Sequence, residues 1–247
     1  MKIRFLYLIF LPLFFSSCSV VIPEHNLVKR NNMDKKSTLF EIKQYNNKVL
    51  QKTGILSNIA FKFRGRTMNA LGITKIDEEN ASYKVAALNP MGITLFQLVV
   101  KNNKIISSYV IEQFAPRQKG KSEAAKAIGN NKNNLDKAAK MISQDIANIY
   151  FARKINIQEN FPGTNKERDR VTFDIKLENN EYLKYTFTGK PFKLTTKTKY
   201  AGKEKLWSAD YYDYHKIKEK EMPFKIIFQN HKYGYMLKIE TKTIKNY

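Results

Sequence analysis

A hairpin signal in residues 83–100 constrains the fold of this chain more than any other stretch. Two apolar, partly β-branched runs, YKVAAL and ITLFQLVV, flank the break Asn89-Pro90-Met91-Gly92. Asn, Pro and Gly each favour a turn for a separate backbone reason, so the pattern predicts an antiparallel hairpin. Met91 stands at its tip, where a polar residue is usual. An apolar tip either packs under a neighbouring element or meets an apolar partner outside the protein, and the tip alone leaves both open.

Alternation of apolar and polar residues predicts further half-buried strands on both sides of the hairpin. The hairpin belongs to an antiparallel meander of about five strands, in which the β pattern becomes clear at Ala60 and ends at Ile111. Residues 39–59 fit either a short helix or a first strand, and residues 210–215 are interpreted as a polar loop. A second group of strands is predicted at residues 171–177, 183–187, 194–200, 224–228 and 235–239.

A helix is predicted between the two groups of strands. Asn134 has the side chain of an N-cap, and apolar residues then recur at helical spacing along one face. We expect that face to pack on the sheet; its members are Leu135, Ala138, Ala139, Ile142, Ile146, Ile149 and Tyr150.

The order of strands, helix and strands, without an internal repeat, predicts a mainly β fold with helices. We expect one curved antiparallel sheet of about ten strands, forming an incomplete (half) β-barrel with helices plugging its concave face. An incomplete plug leaves an apolar cavity, which suits an acyl chain. Ordinary core packing is the alternative for each candidate cavity residue: Phe61, Phe63, Phe96, Leu98, Phe173, Ile175, Tyr185, Phe187, Phe228, Leu237 and Ile239.

The first 17 residues have the pattern of a bacterial lipoprotein signal peptide. Lys2 and Arg4 precede an apolar run that is too short for a comfortable bilayer span. The run ends in Phe15-Ser16-Ser17-Cys18, which resembles a lipobox, with Phe in place of the usual Leu. Cys18, the only cysteine, is the expected lipidation site. An ordinary signal peptide followed by a chance cysteine, or an uncleaved anchor, is the alternative. We predict a signal peptide at residues 1–17, a lipid-anchored tether at 18–38 and a single domain at 39–247.

The charge and the polar residues narrow the functional classes. The chain has 44 Lys and Arg against 22 Asp and Glu, a formal net charge of +22. This excess fits an anionic membrane surface, an acidic partner or a general compositional bias. His25, His215 and His231 are far apart in sequence, and no metal-ligand spacing, nucleophile elbow or phosphate loop is present. We therefore predict no enzyme activity, no cofactor, no metal and no nucleic-acid partner.

The lipobox and the residue sequence of the hairpin together resemble those of LolB-like outer-membrane lipoproteins of the LolA/LolB superfamily. The resemblance is carried by Leu88-Asn89-Pro90-Met91-Gly92 and by Thr94-Leu95, which opens the next strand. Met222-Pro223, followed by residues 224–228 and by the strand at 233–239, also resembles the closing hairpin of the family. Thr94-Leu95-Phe96 also fits a poorly characterised sister family of LolB-like lipoproteins.

The resemblance implies a function in lipoprotein transport. The chain is then expected to be a monomer, lipid-anchored in the outer membrane and facing the periplasm, where it accepts lipoproteins from a LolA-like periplasmic carrier. Pro90, Met91 and Gly92 are the expected membrane-inserting loop, with Met91 in place of the usual leucine. Ser19 after the cysteine agrees with outer-membrane localisation. Two alternatives remain: a carrier of another lipid or glycolipid, and a structural envelope lipoprotein with no ligand.

Overall fold

The computed structural model describes residues 52–63, 65–111, 130–151, 170–189, 191–217 and 220–246. Within these ranges the chain forms eleven strands and one helix. In chain order they are β1 (Thr53–Phe63), β2 (Arg66–Asp77), β3 (Ser82–Leu88), β4 (Thr94–Lys101), β5 (Lys104–Val110), α1 (Asn130–Tyr150), β6 (Arg170–Lys176), β7 (Glu181–Thr188), β8 (Lys193–Ala201), β9 (Glu204–Ile217), β10 (Lys220–Asn230) and β11 (Tyr235–Asn246).

All eleven strands form one antiparallel sheet in the order β5-β4-β3-β2-β1-β11-β10-β9-β8-β7-β6. Short turns join consecutive strands within each half, and turn residues such as Asn179 and Asn180, both with a φ of 57°, have the left-handed backbone that tight hairpins need. The two halves meet where β1 pairs with β11. β5 and β6 end the sheet, so it is not closed into a barrel. The predicted large, open antiparallel sheet with two groups of strands is confirmed.

The core lies on one face of the sheet, called here the inner face, against which α1 packs. Ala138, Ala139, Ile146 and Ile149 are buried there, which confirms the predicted apolar face of the helix. The buried side chains form two clusters, one on the β1–β5 half and one on the β6–β11 half. The helix contributes side chains to both clusters, so it links the two halves of the sheet.

Polar contacts join α1 to both halves of the sheet. Tyr83 of β3 hydrogen-bonds to Ser143, and Lys197 of β8 donates to the carbonyl oxygen of Asn148. β3 and β8 lie in different halves, six strand positions apart in the sheet order. One helix is therefore bonded to strands on both sides of the β1–β11 pair. That the inner face is concave stays a prediction.

Three boundaries differ from the sequence predictions. The helix begins at Asn130, so the prediction of Asn134 as its N-cap is wrong; the added turn is polar and gives no apolar signal. β1 begins at Thr53, earlier than Ala60, because Ser57 and Asn58 obscure the alternation of its first half; of the two alternatives for residues 39–59, the strand is confirmed for residues 53–59. The predicted loop at 210–215 is part of β9, where both Tyr211 and Tyr212 are buried and the alternation is lost.

Several predictions lie outside the described residues. They are the signal peptide at 1–17, lipidation of Cys18, the tether at 18–38 and the start of the domain at residue 39. Of the residues that the structure describes, none belongs to a helix with the length and apolar character needed to cross a membrane.

Candidate functional site

The loop between β3 and β4 has a fixed backbone built around Asn89. The Oδ1 atom of Asn89 accepts hydrogen bonds from the backbone N–H groups of Met91, at 3.0 Å, and Ile93, at 2.8 Å. The backbone of Asn89 also donates to the Ile93 carbonyl oxygen and accepts from the Gly92 N–H, both at 2.9 Å. Gly92 has a φ of 81°, which a glycine adopts without strain. The N–H groups of Asn89, Met91, Gly92 and Ile93 are therefore all bonded within the loop, and Pro90 adds a fixed φ.

This loop presents apolar side chains to solvent. Met91 is 80% exposed and Ile93 is 56% exposed. A single exposed apolar side chain is common, but two on a loop tied by four hydrogen bonds form a presented apolar tip. The sequence predicted the hairpin and its apolar tip, and both are confirmed. Of the two alternatives for the tip, Met91 does not pack under a neighbouring element.

A groove of about 490 Å³ lies beside the loop, and Pro90 forms part of its wall. The other wall residues come from β1, β2 and β11: Asn58, Ile59, Ala60, Asn69, Ala70, Leu71, Lys238 and Glu240. By strand register, most of these side chains lie on the face of the sheet opposite α1, called here the outer face. Lys238 Nζ and Glu240 Oε1 form an ion pair at 2.6 Å. The sequence did not predict this groove, because four segments form it and one of them, β11, lies about 150 residues beyond the others in the chain.

The eleven predicted cavity residues lie on the inner face and not in the groove, but they are divided between the two core clusters: Phe96 and Leu98 belong to one and the other nine to the second. Six are almost fully buried in the core: Leu98, Phe173, Tyr185, Phe187, Phe228 and Ile239. The others are partly buried and pack against the same clusters: Phe61, Phe63, Phe96, Ile175 and Leu237. The ring contact between Phe173 and Phe187, with centroids 5.9 Å apart, is typical of filled core. That these residues line an acyl-chain cavity stays a prediction.

A buried lysine fastens the carboxyl end of α1 to the sheet. Lys197 is 2% exposed, and its ammonium group donates to the carbonyl oxygens of Asn148 (3.0 Å), Ile149 (3.2 Å) and Phe151 (3.1 Å). Tyr211 also donates to the Ile149 carbonyl at 2.7 Å. The last carbonyls of a helix lack intrahelical partners, and these donors satisfy them. Burial lowers the pKa of Lys197 to about 7.

A buried carboxyl group lies farther back on the same helix. Asp145 accepts a hydrogen bond from the Tyr235 hydroxyl and a longer one, at 3.4 Å, from Asn230 Nδ2. Burial raises the pKa of Asp145 to about 8, and the hydrogen bond from Asn230 opposes this shift. The sequence analysis missed Asp145, although its position three residues after Ile142 and four before Ile149 places it on the apolar face.

The described residues contain no group of three or more His, Cys, Asp and Glu side chains that could hold a metal ion. His215 Nε2 lies 2.9 Å from Asp213 Oδ1 in an exposed part of β9, and His231 Nε2 lies 3.3 Å from Ser208 Oγ in the β10–β11 turn. His215 is thus paired with an exposed neighbouring carboxylate, and His231 with the hydroxyl of the buried residue Ser208. Among the described residues, the apolar loop and the groove remain the features most suited to a binding role.

Comparisons with known proteins give structural likenesses only. No protein-family model matches the chain, and no curated protein matches it. The chain is similar to the solved structure of a LolA superfamily protein from Nitrosomonas europaea, with 12% identity, a TM-score of 0.44 and coverage of 87% of this chain and 94% of that one.

Two further solved structures are similar. One is a putative outer membrane lipoprotein-sorting protein domain from Vibrio parahaemolyticus, with 11% identity, a TM-score of 0.41 and coverage of 86% and 93%. The other is a DUF1329 family protein from Desulfovibrio piger, with 9% identity, a TM-score of 0.40 and coverage of 85% and 92%. Because these identities and TM-scores are low, the proposals below depend on the residues of this chain.

Proposed function

We propose that this chain is an outer-membrane lipoprotein, anchored through Cys18 and facing the periplasm, that accepts the acyl chains of other lipoproteins and helps insert them in the membrane. A LolA-like periplasmic carrier is the proposed donor. The β3–β4 loop makes the membrane contact in this proposal, and no catalytic step is involved. The observation that carries it is the 80% exposure of Met91 on a loop with a fixed backbone.

The energetics suit a transient contact. Burying an apolar side chain of this size stabilises by about 1.5–3 kcal/mol. The hydrogen bonds of Asn89 hold the loop backbone in place before contact, so insertion costs little further backbone entropy. That free energy is enough to bias a transfer step but not to anchor a protein. Stable anchoring comes instead from the acyl chains expected on Cys18.

The inner face is the proposed place for the acyl chains. Its eleven predicted residues are apolar or aromatic and lie on the face that α1 covers, and α1 is the proposed plug. An acyl chain enters in this proposal by displacing part of the plug. The filled packing of Phe173, Phe187 and Phe228 favours a second candidate: a structural envelope lipoprotein whose closed core takes no ligand.

Transfer of a triacylated peptide tests the proposal. Full-length protein is reconstituted in vesicles, and the rate at which a fluorescent triacylated peptide moves into them from a detergent-free donor complex is measured. Met91→Glu places a charge where the loop meets lipid, and we expect transfer to slow by roughly tenfold or more, since about 1.4 kcal/mol corresponds to a tenfold change. Met91→Leu is the matched control and should transfer at the original rate.

Both substitutions should leave the fold intact, because the Met91 side chain is exposed and the loop bonds involve its backbone only. Equal transfer by all three proteins would contradict a membrane role for the loop. Failure of the unaltered protein to bind the peptide at all would favour the structural candidate.

A further inference from the structure

The outer face of the first half of the sheet carries an open apolar patch. Strand register places Leu56, Ile73 and Ala86 in one row across β1, β2 and β3, and Leu71 beside Leu88 in the next row. Ile73 is 43% exposed, although its inner-face neighbours on β2 are buried. We call these five residues the outer patch. Leu88 directly precedes the β3–β4 loop, so the patch continues into the apolar tip.

Lysines border this patch. Lys75 and Lys84 face each other across β2 and β3, and Lys245 extends the same row on the far side of Gly54. All three lysines are exposed. The row lies four residues from Leu88 along β3, or roughly 14 Å. We call these three residues the lysine row.

Two acidic side chains near this face, Glu240 and Asp77, have local donors. Glu240 is paired with Lys238 at 2.6 Å, and Asp77 accepts from Asn80 Nδ2 at 2.8 Å. An apolar centre with a cationic border matches the boundary between acyl chains and phosphate groups in a lipid surface. A second copy of the chain fits less well, because it would need acidic groups opposite the lysine row, and Glu240 and Asp77 already have local donors.

We propose that the outer patch and the lysine row dock on a membrane surface that contains anionic phospholipids. The proposal rests on the membrane role of the β3–β4 loop and adds the orientation of the protein and the lipid class. A bilayer that receives Met91 faces the outer patch, since Pro90 and Leu71 line the same groove. The phosphates then lie against the lysine row.

Two fluorescent probes separate this proposal from the proposed function. Full-length protein is reconstituted in phosphatidylcholine vesicles, or in vesicles with a third of the lipid replaced by phosphatidylglycerol. An environment-sensitive dye is placed at Ile73→Cys or, in a second protein, at Ile93→Cys, and lipid-borne quenchers report its contact with the bilayer. Protein without the introduced cysteine gives the background, because Cys18 is the only native cysteine.

We expect the dye at residue 73 to be quenched on the anionic vesicles and much less on pure phosphatidylcholine. Each lysine near an anionic surface contributes roughly a fivefold change in binding, so Lys75→Gln, Lys84→Gln and Lys245→Gln together should weaken docking by roughly a hundredfold. The matched control is Lys137→Gln, Lys140→Gln and Lys203→Gln; these three lysines are exposed on α1 and in the β8–β9 turn, away from this row, and carry the same total charge.

Quenching at residue 93 without quenching at residue 73 would overturn the docking proposal and leave the loop proposal standing. Absence of quenching at both positions would overturn both. A surface that instead binds an acidic protein would leave the residue 73 dye unquenched on the anionic vesicles. An equal loss in the control triple variant would also overturn the proposal, because net charge and not the lysine row would then be responsible.

Discussion

The buried carboxyl group of Asp145 should make the stability of this protein fall as the pH rises. Its pKa is about 8 in the folded protein, against an ordinary value of 3.8. Between these values the folded state holds a proton that the unfolded chain has released. The contribution is therefore fully present below about pH 4 and is lost as the pH rises toward 8, by about 1.4 kcal/mol for each pH unit.

Asp145→Asn removes this titration and keeps the size of the side chain. The amide oxygen can still accept the Tyr235 hydroxyl, so we expect the two proteins to have similar free energies of unfolding below about pH 4, where Asp145 is protonated in both states. Between pH 5 and pH 7 the variant should gain about 2.5 kcal/mol relative to the unaltered protein. Other titrating groups are common to both proteins and cancel in the difference.

Urea unfolding at pH 5, 6 and 7 measures this difference. The fluorescence of Trp207, the only tryptophan, reports the transition, because its ring is buried 5.9 Å from that of Phe228. A difference that stays constant across the three pH values would refute the reasoning. It would mean that the donors Tyr235 and Asn230 keep Asp145 ionised in the folded protein at pH 5, despite its burial.

Two further predictions concern packing on the inner face. Lys197 has a pKa of about 7 in the folded protein against an ordinary 10.5, so the free energy of unfolding should rise by about 1.4 kcal/mol per pH unit between pH 7 and 10 and lose this contribution as the pH falls to 7. Lys197→Met should abolish this slope in urea unfolding. A Cβ at Gly72 would lie 2.4 Å from Ile59 Cδ1, so Gly72→Ala should destabilise by about 1–3 kcal/mol, and adding Ile59→Val, which removes that atom, should restore most of the loss in thermal unfolding.

Local turn chemistry explains why the sequence predicted the sheet so well. The Asn-Pro-Met-Gly break fixes β3 and β4, and the Asn179-Asn180 turn fixes β6 and β7, through backbone preferences of a few residues. β9 was not predicted as a strand over residues 210–215. Tyr211 and Tyr212 are buried on opposite faces, so the two-residue alternation that identifies a half-buried strand is absent.

The buried polar contacts between α1 and the sheet could not be predicted from the sequence alone. The sequence predicts Lys197 to be a solvent-facing residue of β8, because lysine is rarely buried without partners. Its partners are backbone carbonyls 46 to 49 residues away, and backbone carbonyls carry no residue-type signal. Asp145 was recognisable in principle from its place on the apolar face, but its partner Tyr235 is 90 residues away. The groove beside Pro90 likewise depends on a register between β1 and β11 that only the folded chain reveals.

These polar contacts also decide where an acyl chain could enter the inner face at the lowest cost. The carboxyl-terminal half of α1 is tied to the sheet by Tyr83, Asp145, Lys197 and Tyr211. Separating that half would leave buried donors and acceptors unsatisfied, at about 1–3 kcal/mol each. The preceding turns contact the sheet through Ala138 and Ala139, which are small and make no side-chain hydrogen bonds. An acyl chain could replace those apolar contacts with its own, so opening at the Ala138–Ala139 turn costs less than opening at the carboxyl end.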